Sequence, residues 1–332
     1  MIYEFALEPD LVARWHDRKE YLFFDEKFGL RARRVVAAYP RNWKRLVWEA
    51  FGKSPAAGDQ NAQMRMTELI QHLWQNSIRR PGTFPEMSSW LIRAEAEHSK
   101  RPFRAIIATI NPRKRSFVIT NRELVETGHE LWNIPNSYPT PRNASEIANA
   151  VLPLMQLCRH AFIIEPYFDP GKQRFRRTLA AVLATCDKNV CGMETIQVEL
   201  HTSIDRFFEK WERGEFRDLD EETKVYQYYV SECQSRLPPL IPKGVEFKVI
   251  VWKQRNEGEK LHNRYLLTNI YGVLFGTGSD ESDNPDSKES DDIVLLEEGQ
   301  YLMRYKQYTG TPPAFDRVGE PIPIASQNTS AT

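Results

Sequence analysis

The sequence predicts an α/β protein in two parts: an α+β domain over residues 1–140, and a layered sheet with helices on its faces over 144–308. Three observations carry this. Over 161–298, short apolar runs alternate with helical patterns, as in a sheet covered by helices. Residues 133–143 hold three prolines among Ser, Asn and Thr, which marks a domain boundary. The length of 332 residues, 41% hydrophobic and 27% charged, suits two ordinary globular domains.

Composition narrows the class further. No run approaches about 18 consecutive apolar residues, and the opening MIYEFALEPDLVARW lacks a basic flank followed by an apolar stretch. Neither a membrane span nor a secretory signal is expected. The four cysteines, Cys158, Cys186, Cys191 and Cys233, show no CxxC spacing. They read as reduced thiols of a cytoplasmic protein rather than a disulfide framework or a zinc site. No cofactor and no metal is expected. The net charge of zero conceals an asymmetry: residues 1–150 carry 23 Lys and Arg against 17 Asp and Glu, and the remainder 22 against 28. Such opposed halves suit either a polyanion facing the first part or mutual attraction of the two.

In the first part, the rings of Trp15, Tyr21, Phe23, Phe24 and Phe28 precede a run of bases interleaved with Tyr39, Trp43 and Trp48. Cations neutralise phosphates and exposed rings stack on bases, so Arg31, Arg33, Arg34, Arg41, Lys44 and Arg45 form a candidate nucleic-acid surface. The alternative places the rings in a core with the arginines as its solvated rim, which the helical period of Leu46, Val47, Ala50 and Phe51 favours. Helices are expected over 61–78 and 86–98. A hairpin is expected to pair 103–110 with 116–120, and Arg113, Lys114 and Arg115 at its tip are a second candidate phosphate contact.

In the second part, a capped helix is expected over 144–159 and further helices over 175–187 and 218–237. Strands are expected over 161–168, 194–203, 245–253, 264–268, 273–278 and 292–298. The acidic stretch 283–292 reads as a mobile loop, and 309–332, rich in Pro, Ser, Thr and Gln, as a flexible tail.

Chemistry concentrates in LHNRYLLTNIYGVLFGTGSDES, residues 261–282. His262 and Arg264 lie two apart in an extended segment, so their side chains should emerge on one face of the sheet. Asn269 falls at the following turn. Gly276-Thr277-Gly278-Ser279 comes on the returning strand, where glycine lets a backbone approach an anion closely. An imidazole, a guanidinium and two hydroxyls on one edge describe a phosphate site containing a nucleophile.

The spacing resembles the phospholipase D superfamily, whose signature runs His-x-Lys, four residues, Asp, six residues, Gly-Ser-x-Asn. Here His262, Arg264, Asn269, Gly276, Thr277 and Ser279 stand at those places, and the resemblance covers roughly residues 155–308. It implies a metal-independent phosphodiesterase or nuclease acting on nucleic acid. His262 would attack phosphorus to form a phosphohistidine, with Arg264 and Ser279 in the catalytic set and Arg264, Asn269, Thr277 and Ser279 as phosphate ligands. That family uses a second motif histidine as acid, and one motif is visible here. The resemblance therefore implies a homodimer bringing two His262 residues together, with His201 as the intramolecular substitute.

Glu165 and Asp169, at the end of the first strand of this part, are supporting candidates that could orient His262 or bind a metal. Asp280, Glu281, Asp291 and Asp292 could supply a neighbouring acid. The departures from the signature, Arg for Lys, Asn for Asp and Ser for Asn, support an alternative. That alternative is a non-catalytic component that binds nucleic acid or another anionic ligand, similar by analogy to parts of bacterial anti-phage defence or mobile-element complexes.

Overall fold

The computed structural model describes residues 1–80, 89–126, 128–135, 137–186, 195–214, 222–284 and 287–327. The chain is α/β and divides into two compact units, Ile2–Pro135 and a second that begins at Asn136. The division thus falls inside the proline-rich stretch.

In the first unit, β1 (Tyr3–Leu7), β2 (Arg34–Ala38), β3 (Ser77–Arg79), β4 (Ala105–Ala108) and β5 (Val118–Thr120) form a sheet of order β3-β2-β1-β4-β5. Every pairing in it is parallel. The central strands are buried almost end to end, as expected of strands covered on both faces. Phe5, Leu7, Val36 and Ile107 face Trp43, Val47, Met66 and Leu69 from α3 (Trp43–Gly52) and α4 (Gln60–Gln75), which follow α1 (Pro9–Val12) and α2 (Arg18–Lys27) in the chain. Ala6, Ala37, Ile106 and Ala108 face Trp90, Leu91 and Ala94 of α5 (Trp90–Lys100), and α6 (Asn121–Glu126) follows β5.

This corrects the expected α+β hairpin. The turn signal is real: the Asn111 side chain accepts from Arg115 N (2.9 Å) and donates to Arg115 O (2.9 Å), and Lys114 adopts a left-handed φ of 49°. Residues 116–117 then turn the chain again, so β5 runs parallel to β4. Of the expected helix 86–98, residues 86–88 lie outside the described residues.

The second unit is built on a sheet of order β13-β9-β8-β7-β10-β11-β12-β6, with β14 also on β9. Its strands are β6 (Ser137–Pro141), β7 (His160–Ile164), β8 (Ile196–Ser203), β9 (Val245–Lys253), β10 (Arg264–Thr268), β11 (Gly272–Phe275), β12 (Ser290–Leu295), β13 (Asp316–Arg317) and β14 (Ile322–Ile324). β7, β8 and β9 are parallel, whereas β10, β11, β12 and β6 follow on antiparallel. On one face, Ile163, Leu200, Leu266 and Phe275 pack under Phe175, Leu179 and Val182 of α8 (Gln173–Ala184). On the other, Phe162, Tyr265, Leu267 and Trp252 pack under Tyr301 and Tyr308 of α11 (Glu298–Thr309). The expected cap is present: the Asn143 side chain accepts from Glu146 N (2.9 Å) at the start of α7 (Ala144–Leu157).

Three boundaries differ from expectation. Residues 137–141 belong to the second unit because β6 pairs with β12. The tail continues the fold as far as residue 327: β13 and β14 both pair with β9, and Phe315 is buried. An apolar residue every few positions there suffices to anchor an edge strand despite the polar composition. Third, residues 290–292 of the expected loop open β12 and bury Asp291. Of the helix expected over 218–237, α10 (Glu222–Arg236) is observed and 218–221 lie outside the described residues. Cys158 and Cys233 are buried and Cys186 is half-buried, and Cys191 lies outside the described residues.

Candidate functional site

The site forms where β7 and β10 run side by side. The antiparallel register sets Tyr265 against Ile164, so Arg264 opens β10 beside the residue that follows β7, Glu165, and against Phe275 on its other flank. Arg264 shares the face of Leu266, under α8, by the alternation of a strand. Its guanidinium lies over the ring of Tyr167, 4.5 Å from the centroid. Its Nε stands 3.8 Å from Glu165 Oε1, too far for a hydrogen bond, and is buried without an acceptor. The side chain is 24% exposed. His262 sits in the turn just ahead of β10 rather than in the strand, so strict alternation does not reach it. It is exposed and has no hydrogen-bond partner among the described residues.

Glu165 is the buried hub. Its Oε2 accepts from Ser279 N (3.0 Å) and Ser279 Oγ (2.7 Å), and its Oε1 accepts from Tyr167 N (3.1 Å). Burial pushes its carboxyl above the ordinary range, and the Ser279 hydrogen bonds and Arg264 offset only part of that. The enclosed space beside it, lined by Phe168, Phe175 and Leu266 among others, is about 20 Å³. That admits about one water and no phosphoryl group, so an anion must approach Arg264 from its open side.

The glycine-containing segment is fixed by carboxylates rather than left open. Asp291 accepts from Thr277 N (2.9 Å), Thr277 Oγ1 (3.1 Å) and Gly278 N (3.4 Å). A Cβ on Gly276 would lie 2.6 Å from Asp291 Oδ1, and one on Gly278 would collide with Asp280 Oδ1. The glycines are therefore there to admit these carboxylates. Asp280 is buried between Arg142 (3.0 Å) and Arg174 (2.9 Å). Glu281 pairs with Arg177 (3.3 Å), and Asp292 is exposed.

Set against the expected site, the structure groups Arg264, Glu165 and Ser279 and separates the rest. Asn269 sits beyond the far end of β10, about 16 Å along the strand from Arg264. There its Oδ1 accepts from Arg159 N (2.8 Å) and His160 N (3.1 Å), a backbone-capping task rather than phosphate binding. The hydroxyls of Thr277 and Ser279 are committed as donors to Asp291 and Glu165. His201 is a core residue: it is 2% exposed, donates to Glu199 (3.0 Å) and accepts from Trp252 Nε1 (2.9 Å). It cannot serve as the second imidazole. Asp169 accepts from Gly171 N (2.9 Å) and pairs with Lys210 (3.2 Å), which makes it a turn residue.

The residue missed by sequence reasoning is Tyr167, inside a strand-end motif but carrying no chemical signal of its own; its other neighbour, Arg206, lies 5.3 Å from its centroid. No group of three or more His, Cys, Asp or Glu side chains among the described residues is placed to hold a metal.

The candidate surface of the first unit is likewise divided. Trp15, Phe24, Phe28 and Trp43 are buried, so the rings are core. Arg34 donates to Trp132 O (2.6 Å) and lies 4.1 Å from the centroid of the Trp132 ring, and burial lowers its guanidinium to about 10. Arg33 donates to Pro135 O (3.3 Å). These two and Arg31 lie at the start of β2, whereas Arg41, Lys44 and Arg45 lie past its end, exposed, with Arg45 paired to Glu49 (3.0 Å). They do not form one surface. Arg113 and Arg115 pair with Glu95 (2.7 and 3.9 Å).

No described helix is long and apolar enough to cross a membrane. No protein-family model and no curated protein matches the chain. Among solved structures, TrmBL2, an archaeal chromatin protein with a novel mode of DNA binding, is similar at 7% identity and a TM-score of 0.26. That match covers 80% of this chain and 72% of the other. A likeness of that size carries no argument about fold or function.

Proposed function

We propose that the second unit binds the phosphodiester backbone of nucleic acid as a divergent phospholipase D-like module, with Arg264 as its phosphate ligand. The observation that carries this is the state of Arg264: seated on Tyr167, partly open to solvent, and without a hydrogen-bond acceptor among the described residues. Its carboxylate neighbour stands off at 3.8 Å. A guanidinium so placed is a preformed fork for a phosphate. The test is fluorescence anisotropy of a labelled oligonucleotide. Arg264→Ala should weaken binding by about 1 to 3 kcal/mol, the scale of charge-assisted hydrogen bonds. Unchanged affinity in a folded variant ends the reading.

A second reading, a metal-independent nuclease working through a phosphohistidine, draws on one observation: the His262 imidazole is exposed and unengaged, as an attacking group must be. His201 is buried and satisfied, so the acid for the leaving oxygen would come from His262 of a second copy in a homodimer. Labelled DNA and RNA are incubated in EDTA with the protein and with His262→Ala. Product from the parent alone supports hydrolysis; equal product, or none, counts against it.

A further inference from the structure

Resting on that phosphate-binding reading, we propose that a second anion subsite, formed by Arg206 with Lys172, adjoins Arg264 and selects a chain of successive phosphodiesters over a single phosphate headgroup. Arg206 is the second residue of α9 (Asp205–Glu212), just past β8, and Tyr167 follows β7, the strand parallel to β8. The guanidinium carbons of Arg264 and Arg206 lie 4.5 and 5.3 Å from the centroid of the same ring. They are therefore no more than about 10 Å apart, close enough to engage two phosphates of one strand.

Tyr167, Asp169, Lys172, Arg206 and Lys210 line one recess of about 10 Å³, too small to hold a phosphate, so an anion meets the exposed Arg206 and Lys172 at its rim. Its single carboxylate, Asp169, is taken by Lys210 at 3.2 Å. Arg206 and Lys172 are both exposed, and neither has an acidic partner among the described residues. Arg206 and Lys172, two like charges on one recess without an acidic partner, repel one another, which a polyanion relieves and a monoanion relieves only at one end. Tyr167 acts here as a spacer with its ring occupied by guanidiniums, so it orients the two forks rather than stacking on a base.

The experiment compares two probes, a thymidine dinucleotide with one phosphodiester and a thymidine oligonucleotide of about ten residues, each titrated at several salt concentrations. Arg206→Ala should weaken the oligonucleotide several-fold and lower the slope of log affinity against log salt by about 0.7, the single-strand contribution of one contact. It should leave dinucleotide binding unchanged, and Arg206→Lys should restore most of the oligonucleotide affinity. Arg264→Ala should weaken both probes. Oligonucleotide affinity and slope unaffected by Arg206→Ala, while Arg264→Ala still weakens both probes, overturns the second subsite and leaves the first reading standing. Insensitivity of both probes to Arg264→Ala overturns both. Tighter binding to phosphatidylserine vesicles than to the oligonucleotide, with the same Arg206 dependence, also overturns the chain-selective subsite. Arg206 is exposed, so its variants should fold, which a thermal melt of each verifies.

Discussion

The guanidinium of Arg264 lies over the ring of Tyr167 at 4.5 Å, and that contact is what turns a flexible base into a fixed fork. A cation over an aromatic face is worth about 0.5 to 1 kcal/mol at a partly exposed position. It also removes rotamer freedom before a ligand arrives, so less is lost on binding. Tyr167→Ala should therefore weaken oligonucleotide binding by about 1 to 2 kcal/mol, since Arg206 uses the same ring. Tyr167→Phe keeps the face and should bind as the parent does. A titration in which Phe and Ala behave alike would show that the ring is not the anchor.

Ser279 supplies Glu165 with two of its donors, one from the backbone and one from the hydroxyl. Ser279→Ala leaves a fully buried carboxyl short of one hydrogen bond, which costs about 1 to 3 kcal/mol. Urea denaturation should show that loss as a lower midpoint with an unchanged slope. Binding through Arg264 should fall far less, because the hydroxyl points at Glu165 and not into solvent. Loss of oligonucleotide affinity as large as that of Arg264→Ala, at unaltered stability, would restore Ser279 as a direct phosphate ligand.

Much of this architecture was legible because apolar runs bounded by turn residues leave few choices. β9 and β10 fall where the apolar runs place them, and Asn143 caps α7 as its position before an apolar period suggests. Strand direction was not legible. The turn chemistry at Asn111–Arg115 is local, whereas the parallel pairing of β5 with β4 is decided two residues later by packing on the sheet. The site shows the same limit. Spacing singled out Arg264 and the glycine segment, but could not say that Asp291 and Asp280 fill the space the glycines leave, or that Glu165 takes the Ser279 hydroxyl. Buried acids in an acidic loop carry no mark in composition. Nor does a tyrosine whose work depends on arginines from two other elements.

Asn269 separates motif from geometry. Its Oδ1 holds the N–H groups of Arg159 and His160 at the far end of β10 from Arg264. Asn269→Ala should cost about 1 to 2 kcal/mol in unfolding free energy, since two backbone donors lose their acceptor. Oligonucleotide affinity per folded molecule should not change. Affinity reduced tenfold at intact stability would instead return Asn269 to the phosphate site.

The acid limb of stability should be governed by Glu199 and His201. Trp252 donates to His201 Nδ1, so the imidazole proton sits on Nε2 and is given to Glu199. Burial lowers the His201 pKa from its ordinary 6.5, against the pull of Glu199. Burial alone would raise Glu199, but hydrogen bonds from His160, His201 and Lys248 overcome it and hold the carboxyl well below the usual 4.5. In both cases the unfolded chain takes up a proton that the folded chain refuses. Stability from His201 is therefore complete above about pH 6.5 and declines below it, and stability from Glu199 is complete above about pH 4.5 and is lost on further acidification. Denaturation midpoints measured from about pH 7.5 to about pH 4 should fall, with the raised carboxyl of Glu165 opposing the decline because it takes up its proton in the fold first. Glu199→Gln should lower stability at neutral pH and flatten the decline below about pH 4.5. A parent midpoint that stays level down to about pH 5 would mean that His201 accepts a proton in the folded state as readily as in water, and the buried neutral assignment would be wrong.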